Sequence, residues 1–236
     1  MLFAKLQGQR QLNRTPGHSM DHEFWHQRWQ TDEIGFHEGR VNRHLQKHWA
    51  KVAQGQAGTV LVPLCGKAED LAWLREQGHR VIGVELSALA CRAFFEEHGL
   101  QPDVRHDGAF QRFSHSGIDL LCGDFFKLTS AHLGDTSLLY DRAAMIALPP
   151  DVRPGYCSQL ASLLPAGARG LLISLDYPEQ DFSGPPFAVS QAEIERNLSA
   201  SFRLTRLAQG PLPADNPLPQ RGLKQGTECI FQLQRT

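Results

Sequence analysis

The residues with the clearest chemical potential lie between Thr59 and Glu85. The run reads Thr-Val-Leu-Val-Pro-Leu-Cys-Gly-Lys, then a mixed polar and apolar stretch to Gly78, then Arg-Val-Ile-Gly-Val-Glu. This is the pattern of a strand, a glycine turn, a helix and a second strand that ends on an acid. Gly66 and Glu85 stand close to the ~20 residues apart at which a nucleotide-binding βαβ unit sets its ribose carboxylate. A carboxylate there can accept hydrogen bonds from both hydroxyls of one ribose. The turn ahead of the helix can bring backbone N–H groups against the rest of such a ligand. The competing reading of Glu85 is a solvated acid opening the next helix, where the helix dipole favours negative charge.

The turn itself narrows the ligand. A dinucleotide site carries G-x-G-x-x-G after its first strand, whereas Pro63-Leu64-Cys65-Gly66-Lys67 holds a single glycine. Bulky pyrophosphate oxygens need closer backbone approach than one glycine allows. A P-loop is excluded as well, because Gly66-Lys67 is followed by Ala68 and lacks both the upstream glycine and the Ser/Thr. The common ligand left for this topology is an adenosine without phosphates, S-adenosylmethionine.

The elements that must position these residues follow from pattern. Helices are expected over Asp21–Gln30, Val41–Val52, Ala68–Gln77, Ser87–His98, Asp151–Leu164 and Gln191–Leu198. Ser87 is placed to cap its helix, and Gly78 to stop the one before it. Val60–Leu64 is a near-continuous apolar run, the mark of a strand buried on both faces. Further strands are expected at Arg80–Glu85, as a hairpin within Asp107–Asp124, and at Ser137–Tyr140, Gly170–Leu175, Arg203–Leu207 and Glu228–Leu233. Gly210–Gly226, rich in proline and glycine, reads as a loop. Alternating strands and helices predict one α/β domain of Rossmann-like build, with a mostly parallel sheet and helices on both faces. Ligands of such sheets bind beyond the carboxyl ends of the strands.

Bulk properties bound the rest. The chain has 236 residues and a net charge of −1, so no basic surface points to nucleic acid. No apolar run reaches the ~18 residues of a membrane helix. The five cysteines are scattered and never spaced C-x-x-C, which suits reduced thiols in a cytoplasm. Residues 1–19 lack acids and a long apolar stretch, and are expected to be a disordered extension upstream of a domain over residues 20–236.

A set of motifs then carries a specific resemblance. These are Phe24-Trp25-His26-Gln27-Arg28-Trp29, Ile34-Gly35-Phe36-His37, Val62-Pro63-Leu64-Cys65-Gly66-Lys67 and Gly83-Val84-Glu85-Leu86-Ser87. Gly123-Asp124-Phe125-Phe126, Tyr140-Asp141-Arg142-Ala143-Ala144, Ala147-Leu148-Pro149-Pro150 and Gly184-Pro185-Pro186-Phe187 continue the series. In this order, from about Met20 onward, the chain resembles the thiopurine S-methyltransferase family, its bacterial branch in particular. The resemblance implies a class I methyltransferase fold with an antiparallel last strand. It implies that Trp29, Leu64, Glu85 and Arg142 contact S-adenosyl-L-methionine, that Phe125 lies near the adenine, and that Phe36 lies between cofactor and acceptor. It also implies a small aromatic or heterocyclic thiol as acceptor, with selenium or tellurium anions as further candidates; a monomer that holds no metal is expected beside it.

Residue chemistry is consistent with those roles. A sulfonium cation is attracted to an aromatic face by ~0.5–2 kcal/mol, which suits Trp29 and Phe36 as lid residues, although both types also serve as packing aromatics. Arg142 could bind a carboxylate in bidentate fashion or stabilise a thiolate; an ion pair with Asp141 or another surface acid is the plain alternative. Methyl displacement from a sulfonium needs no metal and no covalent enzyme intermediate, so no catalytic dyad is assigned. Three rival readings are an NAD-dependent oxidoreductase on a similar sheet, a zinc hydrolase using the H-E-x-x-H of His22 and His26, and a non-catalytic nucleoside-binding module.

Overall fold

The computed structural model describes residues 22–35, 37–213, 216–223 and 225–236. Phe36 and the expected extension over residues 1–19 therefore lie outside the described residues. Nine strands form one sheet: β1 Thr59–Pro63, β2 Arg80–Glu85, β3 Asp103–Asp107, β4 Phe110–His115, β5 Ile118–Cys122, β6 Thr136–Arg142, β7 Arg169–Asp176, β8 Phe202–Pro211 and β9 Thr227–Arg235. The helices are α1 His22–Gln30, α2 Arg43–Ala53, α3 Glu69–Glu76, α4 Ala88–Glu97, α5 Ser130–Leu133, α6 Arg153–Leu163 and α7 Gln191–Leu198.

The strand order is β3-β4-β5-β2-β1-β6-β7-β9-β8. The central run β5-β2-β1-β6-β7 is parallel. Both flanks are antiparallel: β3 and β4 extend one side, β9 and β8 the other. The last strand is thus antiparallel, as the resemblance implies. The parallel core continues to β2 on one side of β1 and to β6 on the other. That reversal opens a crevice at the carboxyl ends of β1 and β6, where open α/β sheets bind ligands.

Helices cover both faces, and the alternation of side chains along β1 shows why. Leu61 joins one apolar cluster, with Tyr156 and Leu160 of α6 and Ile194 and Leu198 of α7. Val60 and Val62 point the other way, into Leu45, Trp49 and Val52 of α2, Leu71 and Leu74 of α3, and Phe94 and Phe95 of α4. All five β1 residues are buried, which is the condition for a continuous apolar run in a central strand. Ser87 caps α4 by accepting from the Ala90 N–H. Cys65 is a packing residue of the second cluster.

The sheet departs from the sequence reading at its edges. The sequence pattern does not mark β3; four of its five residues are exposed and three are charged, so it lacks the apolar alternation that marks a half-buried strand. β8 runs to Pro211, into the stretch read as loop, because Gly210 and Pro211 pair with Glu228 and Thr227 of β9. An edge position tolerates the proline.

Candidate functional site

At the carboxyl ends of the parallel strands lies a cavity of about 630 Å³. That is within the range that holds a ligand of nucleoside size or larger. Val62 and Leu64 from the end of β1, Glu85 and Leu86 from β2, and Tyr140 and Arg142 from β6 line one wall. Trp29, Gly35 and Glu38, from α1 and the segment after it, close over them.

The turn after β1 is shaped by two consecutive constraints. Leu64 has φ +48° and Gly66 φ +55°. Leucine rarely adopts this left-handed conformation, and its cost is ~1–3 kcal/mol. Gly66 is required twice over: by its φ, and because a Cβ there would sit 3.2 Å from the Trp29 ring. The glycine thereby lets Trp29 of α1 lie directly on the turn.

Glu85 occupies the floor and is 7 % exposed. Its Oε2 accepts the Gly66 N–H at 2.9 Å and its Oε1 accepts the Ser87 N–H at 2.7 Å. Burial pushes its carboxyl up, and the backbone N–H groups of Ser87 and Gly66 pull against that shift. A carboxylate offers about four acceptor sites. Backbone N–H groups use part of this capacity, and the remainder is open to hydroxyls of a ligand. The reading of Glu85 as a solvated acid is not what the structure shows.

Arg142 does not pair with its neighbour Asp141. Adjacent residues of a strand point to opposite faces, and these two do so. Asp141 is fully buried on the far side, accepting from the Tyr156 hydroxyl at 2.7 Å and the Met145 N–H at 3.3 Å. Arg142 faces the cavity, where its Nη2 lies 2.6 Å from Glu38 Oε1. Burial works against the Arg142 cation, but the electrostatic pull of Glu38, Tyr140 and Asp70 outweighs it and holds the guanidinium pKa above its usual value. The strand ends in a left-handed residue here too, Ala143 with φ +64°.

Two acids missed in the sequence join this corner. Asp70, 2 % exposed, accepts the Asn42 N–H at 2.7 Å and the Tyr140 hydroxyl at 2.9 Å. Glu38 accepts from the Asn42 amide at 3.2 Å. Neither acid belongs to a recognisable motif, and Asp70 meets Tyr140 across 70 positions of chain.

Phe125 is placed differently from the other candidates. It is 1 % exposed, its ring 5.0 Å from that of Tyr156 and 5.9 Å from that of Phe126, and it does not line the cavity. His22 and His26 lie on α1, where His22 is 4.0 Å from Asp124. Among the described residues, the potential metal ligands that converge are His37, Glu69 and Glu97 instead. Lys67 already neutralises Glu97 at 2.5 Å.

The Asp141 carboxyl gives a test of this geometry. Burial raises it to about 6 in the fold. A raised acid favours the folded state while protonated, so its contribution is fully present below the unfolded value near 3.8 and is lost as pH climbs through about 6. The stability difference between wild type and Asp141→Asn should therefore shift by about 3 kcal/mol against the wild type across that window. Urea unfolding at a series of pH values reads it; parallel pH profiles would mean that Asp141 is not desolvated.

A family model described as thiopurine S-methyltransferase matches residues 20–236. The thiopurine S-methyltransferase of Marinobacter nauticus is 44 % identical over 216 residues, spanning 91 % of this chain and 99 % of that protein. The one of Pseudomonas paraeruginosa is 46 % identical over 217 residues, spanning 92 % and 100 %. Among solved structures, the Burkholderia thailandensis 1,6-didemethyltoxoflavin-N1-methyltransferase with bound S-adenosylhomocysteine aligns with a TM-score of 0.61 at 16 % identity, covering 91 % of this chain and 87 % of that one. Magnesium protoporphyrin IX methyltransferase from Synechocystis, also with S-adenosylhomocysteine, gives 0.61 at 16 %, covering 92 % and 100 %. The fold shared with these enzymes, a cavity floored by the Glu85 carboxylate, and close relatives over nearly the whole length agree, and the chain belongs to the thiopurine S-methyltransferase family.

Proposed function

We propose that the protein transfers the methyl group of S-adenosyl-L-methionine to the sulfur of a thiopurine or a related aromatic or heterocyclic thiol. The observation that carries this reading is Glu85, a buried carboxylate on the cavity floor with acceptor capacity left over. It supports an adenosine whose ribose hydroxyls bind there. Leu64 and Trp29 would flank that ligand, and Arg142 would hold a carboxylate. Phe125 is assigned near the adenine by family resemblance alone, since its side chain is packed in the core. Phe36 is likewise carried from the resemblance. When bound, the cofactor supplies a methyl group already activated on a sulfonium.

The protein's own task is then alignment and exclusion of water. The far part of the cavity suits a flat anion. Pro185, Pro186, Leu212 and Leu218 make it apolar, and Arg221 supplies a second guanidinium. Arg221 donates to the Pro185 carbonyl at 3.3 Å, which ties it to the wall. A heteroaryl thiol ionises readily, and the Arg221 guanidinium favours the thiolate. Asp141 is turned away from this space, towards Tyr156, and does not serve as base.

In this reading residues 20–236 form the methyltransferase domain, a monomer acting in the cytoplasm, and residues 1–19 an extension. Among the described residues no helix is long and apolar enough to cross a membrane. Selenium and tellurium anions remain secondary acceptors. The oxidoreductase alternative has no support, since the relatives and fold neighbours are methyltransferases.

Isotope-labelled methyl transfer to a panel of thiopurines, simpler heteroaryl thiols and aliphatic thiols tests the proposal. Heteroaryl thiols should be methylated well ahead of aliphatic ones, whose higher pKa keeps sulfur protonated. Equal rates would remove the case for a thiolate acceptor. A larger thermal shift with NAD than with S-adenosylhomocysteine would overturn the cofactor assignment.

A further inference from the structure

Arg142 is not a simple carboxylate trap. Two acids from outside its strand surround it. Glu38 contacts its guanidinium at 2.6 Å, and Asp70 stands beside it on the same wall, bonded to Tyr140 two residues back along β6. Asn42 holds both acids, Asp70 through its backbone N–H at 2.7 Å and Glu38 through its side-chain amide at 3.2 Å. The acids are thus fixed in place by one residue rather than swept there by chance.

A lone guanidinium would select any carboxylate. A guanidinium flanked by two fixed carboxylates selects a ligand that presents both signs of charge close together, as an α-amino acid does. We propose that Asp70 and Glu38 bind the α-ammonium of the cofactor's amino-acid end while Arg142 binds its carboxylate. The corner is then a receptor for a zwitterion. This rests on the reading of S-adenosyl-L-methionine as methyl donor.

The acceptor arithmetic permits it. Asp70 carries two hydrogen bonds and retains one acceptor site on each oxygen. Glu38 reaches Arg142 with one oxygen and leaves acceptor capacity on both. An ammonium brings three donors and no acceptor, which complements this surplus. Lys67, another cation lining the cavity, is held by Glu97 at 2.5 Å.

The charge balance has a second effect. Two carboxylates around one guanidinium leave a net negative corner. The methyl donor carries a sulfonium beyond its zwitterion and is a net cation, whereas the demethylated product is neutral. Such a corner favours the donor over the product, which aids turnover.

Calorimetric binding of three ligands separates the possibilities. S-adenosylhomocysteine has the whole zwitterion, its deaminated analogue keeps only the carboxylate, and 5′-methylthioadenosine lacks the amino-acid end. In wild type, removal of the amine should cost about tenfold or more in affinity, the scale of a hydrogen bond to a charged group. Asp70→Asn should bring that ratio towards one and leave methylthioadenosine binding within about twofold. Asp70 is buried, so Glu38→Gln, on the exposed side, provides a second variant that does not risk the core. Amine ratios unchanged in both variants would overturn the inference while leaving the cofactor reading intact. Failure of wild type to bind any of the three ligands would overturn both.

Discussion

Arg142→Ala should reduce kcat/KM by about 100-fold or more and weaken S-adenosylhomocysteine binding. Two effects combine. The ligand's carboxylate loses a charged donor, at ~1.5–3 kcal/mol. Glu38 and Asp70 also lose the cation that balances them, and because Glu38 is exposed this second penalty is smaller than the ~3–5 kcal/mol of a fully buried pair. Part of the second cost falls on stability, so the melting temperature should drop as well. The double variant Arg142→Ala with Glu38→Gln separates the terms. It should regain stability, because one stranded charge is gone, but it should not regain activity. Recovery of both together would mean that Arg142 matters only as an internal ion-pair partner. Arg142→Lys should fall between, since an ammonium keeps the charge but lacks the planar fork.

Glu85→Ala should weaken S-adenosylhomocysteine by about 3 kcal/mol, roughly 100-fold, as two ribose hydroxyls lose a charged acceptor. The same carboxylate spans the turn after β1 and the entry to α4, through Gly66 and Ser87. The variant should therefore also lose order in both turns, visible as faster amide exchange at those two N–H groups. Glu85→Gln gives the cleaner binding measurement because it preserves shape and one acceptor oxygen. Unchanged affinity in either variant would place the ribose elsewhere.

How much of this was legible in the sequence depends on how local each signal is. β1, β2 and the capped start of α4 were readable because apolar runs, a cap serine and stop glycines act within a few residues. Glu85 was readable because its spacing from Gly66 is imposed by one βαβ unit. The resemblance, not the pattern, singled out Trp29 and Arg142. Asp70 and Glu38 were not readable, since their partners Tyr140 and Arg142 come from a strand about 70 and 100 positions further along the chain. The Asp-Arg dipeptide at 141–142 does not form its own ion pair, for a definite reason. Sequence neighbours in a strand are on opposite sides of the sheet, so the dipeptide that looks like an ion pair divides between a tyrosine behind the sheet and a glutamate in front. β3 escaped notice because an edge strand packed with charges needs no apolar face, and that same charge discourages other chains from adding to it.

Leu64 and Ala143 end adjacent strands in the left-handed region, one on each side of the crevice. Both bends are met while the chain folds, so the mouth between β1 and β6 is shaped before any guest arrives. Docking an adenosine then asks little of the sheet, and α1 with the segment that bears Glu38 forms the cover above it. Changes of acceptor preference among related chains are accordingly expected to accumulate in that cover rather than in the socket beneath it.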